Sequence, residues 1–220
     1  MTKDERKQKL IEKLESMKFY ENELHNNGIK FIGGIDEVGR GPLAGPVCTC
    51  CIVLPNDFNI LGVDDSKKIS EKKREELYSV ILNSAIAYGI GIVDNNIIDE
   101  INILEATKLA MKEAYENANK MLESLNFEPI EHLLIDAVAL KDLKVPQTSL
   151  IKGDQKSVSI AAASIIAKVT RDRMMVEYAK VYPYYGFERN KGYGTKDHYF
   201  GIKEHGITKI HRKTFLKGLI

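Results

Sequence analysis

Hydrophobic and polar positions along the chain switch between two periods. Over residues 2–24, Leu10, Ile11, Leu14 and Met17 form an apolar stripe among charges, a spacing that predicts one amphipathic helix. Asn26, Asn27 and Gly28 end it, because both residue types tolerate the left-handed conformation. Short apolar runs bounded by Gly and Pro then predict buried strands at 30–36 and 47–54, joined by the turn GRGPLAGP. Ser70 is a suitable N-cap for a helix to about Asn83, although Lys73 stands where a full capping box would need Glu or Gln. A third strand is expected at 85–93. A long helix follows at 103–125, with apolar positions at Leu104, Met111, Tyr115, Ala118, Leu122 and Leu125. Strands at 132–136 and 148–152 and a helix at 157–182 complete the pattern. The first half of that helix is packed with small residues, and Pro183 closes it. Residues 183–220 are expected to form loops and short helices.

Three strands followed by helices alternating with strands predict an α/β fold, a mixed sheet layered with helices. Composition supports one large core: the chain has 220 residues, 44% of them hydrophobic. No apolar run approaches the roughly 20 residues that span a bilayer, and the charged N-terminus lacks the apolar stretch of a secretory signal. A cytoplasmic monomer without membrane contact is the expectation. Cys48, Cys50 and Cys51 lie within four residues and have no second cluster to complete a zinc site or disulfide framework, so they are expected as small buried hydrophobes.

Charge alters the picture further. Residues 1–140 carry 16 Lys and Arg against 24 Asp and Glu; residues 141–220 carry 16 against 7. The basic C-terminal part suits either a polyanionic partner or simply a solvated surface. Acidic residues recur where strands end: the pair Asp36–Glu37, then Asp136 closing HLLID, then Asp154 after TSLIKG. Singly, each is more often an exposed turn or cap. Together, at neighbouring strand ends, they form an oxygen-only set suited to Mg²⁺ or Mn²⁺, and two such ions about 3.5–4 Å apart serve in-line phosphodiester hydrolysis. Gly39-Arg40-Gly41, just past the first pair, offers backbone N–H groups and a charged fork to a phosphate. Asp65-Ser66-Lys67-Lys68 is a polar loop that could touch phosphate or merely shape a turn. Ser164, Lys168 and Arg171 share one helical face, as a phosphate-tracking stripe or a solvated flank. Tyr193, flanked by glycines among aromatics and lysines, suits stacking on a sugar or base. His198, His205 and His211 are expected at the surface or in caps.

Seven blocks, in order, resemble ribonuclease HII: GIDEVGRGPLAGPV (34–47), DDSKKIS (64–70), INILEATKLAM (101–111), LLIDA (133–137), KGDQKSVSIAAASIIAKVTRD (152–172), YYGFERNKGYGT (184–195) and EHGITKIHRKTF (204–215). The resemblance implies a ribonuclease H-like mixed sheet with a C-terminal helical segment. It divides the chain into an N-terminal helical extension, 1–28, and a catalytic domain, 29–220. It implies an endoribonuclease acting on RNA–DNA hybrids and on single ribonucleotides in duplex DNA, with Mn²⁺ or Mg²⁺ held by Asp36, Glu37, Asp136 and Asp154. Gly39, Arg40 and Gly41 would read the 2′-hydroxyl, and Tyr193 would pack on the sugar 3′ of the ribonucleotide. Lys67, Ser164 and Lys168 match other backbone-contacting positions. The extension is too short for the extra domain of the sister ribonuclease HIII, and Asp154 fits the HII pattern. No clamp-binding tail is expected over 216–220. The rival expectations are another nuclease of the same fold and a non-catalytic hybrid binder.

Overall fold

The computed structural model describes residues 2–218. The chain runs α1 (Lys3–Met17), α2 (Phe19–Asn26), β1 (Ile32–Val38), β2 (Val47–Val53), α3 (Glu71–Ser84), β3 (Ala87–Val93), α4 (Asn95–Ile101), α5 (Ile103–Ser124), β4 (His132–Asp136), β5 (Gln147–Leu150), α6 (Val158–Val181), α7 (Phe187–Asn190) and α8 (Lys196–His205). One five-stranded sheet has the order β3-β2-β1-β4-β5. β1 pairs antiparallel with β2, and β2 with β3; β1 pairs parallel with β4, and β4 with β5. The expected mixed α/β sheet is therefore present. Leu219 and Ile220, the end of the segment expected to hold no clamp-binding tail, lie outside the described residues.

Side-chain alternation divides β2 between two cores. Cys50 and Ile52 join residues of α1, α3 and α6 on one face; Cys51 and Val53 join α5 on the other. All three cysteines are buried, and burial pushes the Cys48 thiol up to about 12, so the expectation of inert apolar packing holds. The helices come unusually near the sheet. A Cβ on Gly91 would stand 1.9 Å from the Ala110 carbonyl oxygen, so only glycine lets α5 lie against β3 there. On the other face Ala161, Ala162 and Ala163 are fully buried against the sheet.

Three elements differ from expectation. The N-terminal helix is two helices, with Lys18 at φ −82°, ψ 1° between them. Leu14 and Met17 enter the core, but Leu10 and Ile11 remain exposed, so only the C-terminal half of the stripe is used. The short helix α4 was not expected. Its signal is Asp94, whose carboxylate accepts from the N–H groups of Asn96 and Ile97. β5 ends at Leu150, before the expected Lys152, because Lys152 turns left-handed at φ 58° and starts a 3₁₀ turn over Gly153–Gln155. Ser70 caps α3 as expected, accepting from the Lys73 N–H.

The tail after Pro183, expected as loops and short helices, folds as α7, α8 and a final 3₁₀ turn at Lys213–Leu216, packed around Leu43, Ala44, Met175, Tyr185 and Phe187. Two histidines depart from the surface expectation: His198 and His211 are buried, whereas His205 is exposed and stacks on Tyr184.

Candidate active site

Parallel pairing puts the carboxyl ends of β1 and β4 side by side, with Ile35 opposite Ile135. Asp36 and Asp136 follow immediately, so register alone makes them neighbours. Both face α6. A Cβ on Gly34, two residues before Asp36, would strike Ser159 of α6, and Leu134, two before Asp136, packs with Ile160. Asp154 arrives through the 3₁₀ turn after β5. That turn is tied to the same point, because the Gly153 N–H donates to Asp136 Oδ1 at 2.6 Å. Three strand ends thus deliver the expected carboxylates to one edge of the sheet.

Their electrostatics are those of crowded acids. Burial first, then Glu37 and Asp136, holds the Asp36 carboxyl well above its usual range, against hydrogen bonds from the Glu37 N–H (2.7 Å) and Ser164. Glu37 is raised by burial and by Asp136, with Arg40 and Lys67 opposing. Asp154 is raised by burial, then by Asp65 and Asp136, again with Lys67 opposing. Asp65 is a fifth acid that sequence reasoning did not single out. It is buried, accepts from the Lys67 N–H at 2.9 Å and from Gln155 Nε2 at 3.3 Å, and lies against Asp154.

Could these residues hold divalent cations? Among the described residues, no three His, Cys, Asp or Glu side chains are closed into a ready cage. Acids without a counter-charge repel one another, and Asp136 turns one oxygen to the Gly153 N–H. The cluster nevertheless has an open valence: Glu37 Oε2 is buried without a hydrogen-bond partner among the described residues. A buried carboxylate oxygen facing other acids is costly unless a cation or proton meets it. Hard oxygen donors and one orphaned oxygen fit a hard divalent ion.

The glycine turn beside this cluster is held from behind. Arg212 is fully buried and donates through Nη2 to the Gly39 carbonyl at 2.6 Å, and through Nη1 to that of Arg40 at 2.9 Å. It also reaches the Gly45 carbonyl, through Nε at 2.9 Å. Arg171, equally buried, donates to the carbonyls of Pro46, Lys191 and Ala44. Gly39 has φ +93°, and a Cβ there would lie 2.1 Å from Arg171 Nε, so position and neighbour both require glycine. With its carbonyls bound inward, the turn leaves Arg40 exposed, 3.4 Å from Glu37 Oε1. Tyr193 joins from the C-terminal part: its Cε1 would be 3.5 Å from a Cβ on Gly41, and the residue is 45% exposed.

The helical face of Ser164, Lys168 and Arg171 is neither a solvated flank nor a free cationic stripe. Ser164 is buried, and its Oγ lies 2.7 Å from Ser66 Oγ, linking α6 to the loop of Lys67. Arg171 is structural, as described. Lys168 is paired, its Nζ lying 2.7 Å from Asp172 Oδ1. Lys67, from the loop before α3, is exposed beside the acids, as Arg40 is. Sequence reasoning missed Arg212, His198 and His211 as site-shaping residues. The only signal for them was their place in the block EHGITKIHRKTF and just after YYGFERNKGYGT.

The model of the family described as ribonuclease HII matches residues 33–217. The chain belongs to the ribonuclease HII family. The ribonuclease HII of Ligilactobacillus salivarius is 56% identical over 195 residues, which cover 89% of this chain and 73% of the relative. The solved ribonuclease H2 of Pyrococcus horikoshii superposes with a TM-score of 0.65 at 28% identity, covering 86% of this chain and 96% of that one. A Bst ribonuclease HIII solved in complex with Mn²⁺ shares the fold, with a TM-score of 0.60 at 18% identity, covering 87% of this chain and 66% of the other. The chain is accordingly a ribonuclease H, an endoribonuclease that acts on RNA–DNA hybrids. No described helix is long and apolar enough to cross a membrane.

Proposed function

We propose that the chain hydrolyses the phosphodiester on the 5′ side of a ribonucleotide, in hybrids and at single ribonucleotides within duplex DNA, leaving a 3′-hydroxyl and a 5′-phosphate. The observation that carries this reading is the convergence of Asp36, Glu37, Asp136 and Asp154, with Glu37 Oε2 buried and unpartnered. These four side chains would hold two divalent ions, Mg²⁺ or Mn²⁺. When bound, the ions supply a water acidic enough to attack at neutral pH and a counter-charge for the leaving 3′ oxygen. The Mn²⁺ in the Bst ribonuclease HIII is in keeping with that choice.

The remaining roles fall to the protein. The N–H groups of Gly39 and Gly41, in a turn whose Gly39 and Arg40 carbonyls are already bound by Arg212, would face the ribose and its phosphate; Arg40 would add a charged fork. Sensing a 2′-hydroxyl there separates ribose from deoxyribose. Lys67 would meet a phosphate oxygen beside the acids, and Ser164 would orient both Asp36 and the Lys67 loop. Tyr193 would pack its ring on the sugar 3′ of the ribonucleotide. Lys168 serves this site as Asp172's partner rather than as a phosphate ligand.

Asp36→Asn tests the assignment without threatening the fold, because it removes one ligand and one repulsive charge together. Cleavage should fall by roughly 10³-fold or more, several kcal/mol of lost stabilisation. Wild-type Tm should rise by several degrees with saturating Mn²⁺, since binding to the native state alone stabilises it. The variant should gain less. Near-normal cleavage by Asp36→Asn would remove that residue from the site.

A further inference from the structure

Tyr193 sits on a short loop between α7 and α8 that is fastened at several backbone points. The Gly192 carbonyl accepts from the Leu43 N–H at 2.8 Å, and the Tyr193 N–H donates to the Asn190 carbonyl at 2.9 Å. The Tyr193 carbonyl accepts twice: from the Thr195 N–H at 2.8 Å and from His198 Nδ1 at 2.9 Å. Behind His198 stands His211, with the two Nε2 atoms 3.0 Å apart.

Donor and acceptor can be assigned at every link of this chain. His211 Nδ1 lies 2.9 Å from the Thr208 backbone N–H, which can only donate, and 2.9 Å from Thr208 Oγ1, which accepts from the Ile210 N–H and can turn its own proton to the ring. His211 Nδ1 is therefore bare, and the ring's proton is on Nε2. That N–H points at His198 Nε2, which must accept. The proton of His198 is then on Nδ1, aimed at the Tyr193 carbonyl. Each tautomer requires the next, and both rings are neutral. Their surroundings agree: both are buried, with the Phe187 ring 5.1 Å from His198 and the Tyr185 ring 5.3 Å from His211. Burial depresses both imidazoles.

The two ends of the relay lie on opposite parts of the reading apparatus. His211 bridges to Ala44, and the next residue, Arg212, binds the Gly39 and Arg40 carbonyls. The far end is Tyr193, whose ring lies against Gly41. We propose that His198 and His211 are positioning residues for substrate discrimination, a tautomer-locked pair that holds Tyr193 in register with the Gly39–Gly41 turn. The inference rests on the reading of Tyr193 as the residue that packs on the sugar 3′ of the ribonucleotide.

The tautomers are visible directly. Long-range ¹H–¹⁵N spectra of the wild-type protein at neutral pH should show His198 protonated at Nδ1 and His211 at Nε2. The reverse assignment, or an imidazolium in either ring, overturns the proposal. Kinetics test the consequence through the ratio of kcat/KM on duplexes carrying deoxyribose or ribose 3′ of the cut site. His198→Asn can place an amide N–H where Nδ1–H stood and should preserve the ratio. His198→Gln can meet His211 but not the Tyr193 carbonyl, and should lower the ratio by about three- to tenfold, the worth of one neutral hydrogen bond. Both variants delete the same ring, so a merely structural role would make them alike, and equal ratios overturn the inference. Tyr193→Ala separates the premises. If it leaves the ratio unchanged, the reading of Tyr193 fails and the inference with it. If it changes the ratio while the two histidine variants match each other, the inference alone fails.

Discussion

Lys168 illustrates how a residue's partners change the meaning of its charge. Its ammonium is half-buried, and burial lowers its pKa even though Asp172 pulls the other way. Asp172 is itself buried, and its other neighbouring cation, Arg74, lies at 3.9 Å. Lys168→Ala should therefore cost about 3 kcal/mol through the abandoned carboxylate, seen as a lower Tm. The salt dependence of hybrid affinity should stay as it is in wild type, because no phosphate contact is lost. A flatter salt dependence with unchanged Tm would return Lys168 to the substrate surface. At this scale the acids were legible in the chain: strand-end positions and glycine-rich surroundings marked Asp36, Glu37, Asp136 and Asp154. Asp65 was not, since nothing in its own loop shows that it will lie against Asp154. Nor was the burial of Arg171 and Arg212 legible, although Arg171 stood out on the face of Ser164 and Lys168, because an arginine bound for backbone carbonyls looks like any surface cation in one dimension.

Among the elements, the joint between α2 and α6 carries the clearest consequence. Glu21 is buried, and its Oε1 accepts from Ser157 Oγ at 2.5 Å and from the Ser159 N–H at 2.9 Å. It thereby closes the N-terminus of the helix that faces Asp36. Its Oε2 is buried without a partner among the described residues, and burial raises its pKa. The neutral isostere Glu21→Gln should therefore fold with a Tm near wild type, whereas Glu21→Ala should lose about 1–3 kcal/mol by stranding the Ser157 and Ser159 donors. Equal Tm values for the two variants would contradict this. Most elements could be located from periodicity, down to the Ser70 cap. The break at Lys18 could not, because both helices carry the same mixture of charge and apolar residues. α4 escaped because it has seven residues, too few for a repeating stripe, and only its Asp94 cap marks it.

For the whole molecule, the C-terminal part adds a pH dependence. Burial, then the neighbouring His198, lowers His211 from 6.5 to about 4. The folded state therefore binds fewer protons than the unfolded one between these values. The pair's contribution to stability is complete above about pH 6.5 and is lost as pH falls towards 4. Subtracting the Tm–pH curve of His211→Gln from that of wild type isolates the pair from the other acids. The difference should shrink on acidification across this window, and a constant difference would mean that His211 keeps an ordinary pKa. The excess of 16 basic over 7 acidic residues in 141–220 suits either a polyanionic partner or a solvated surface. The structure spends part of that excess internally, on the carbonyls bound by Arg171 and Arg212.

The nature of the cut ends tests the central claim most directly. A DNA duplex with one embedded ribonucleotide, incubated with Mn²⁺ and then analysed by mass, should yield a 3′-hydroxyl on the upstream fragment and a 5′-phosphate on the fragment that begins with the ribonucleotide. Water is then the nucleophile, as a carboxylate-held pair of ions requires, and Asp36→Asn should give neither product. A 2′,3′-cyclic phosphate, or cleavage that persists in chelator, would contradict the account, because the ribose 2′-oxygen or a metal-free route would then be doing the work assigned to Asp36, Glu37, Asp136 and Asp154.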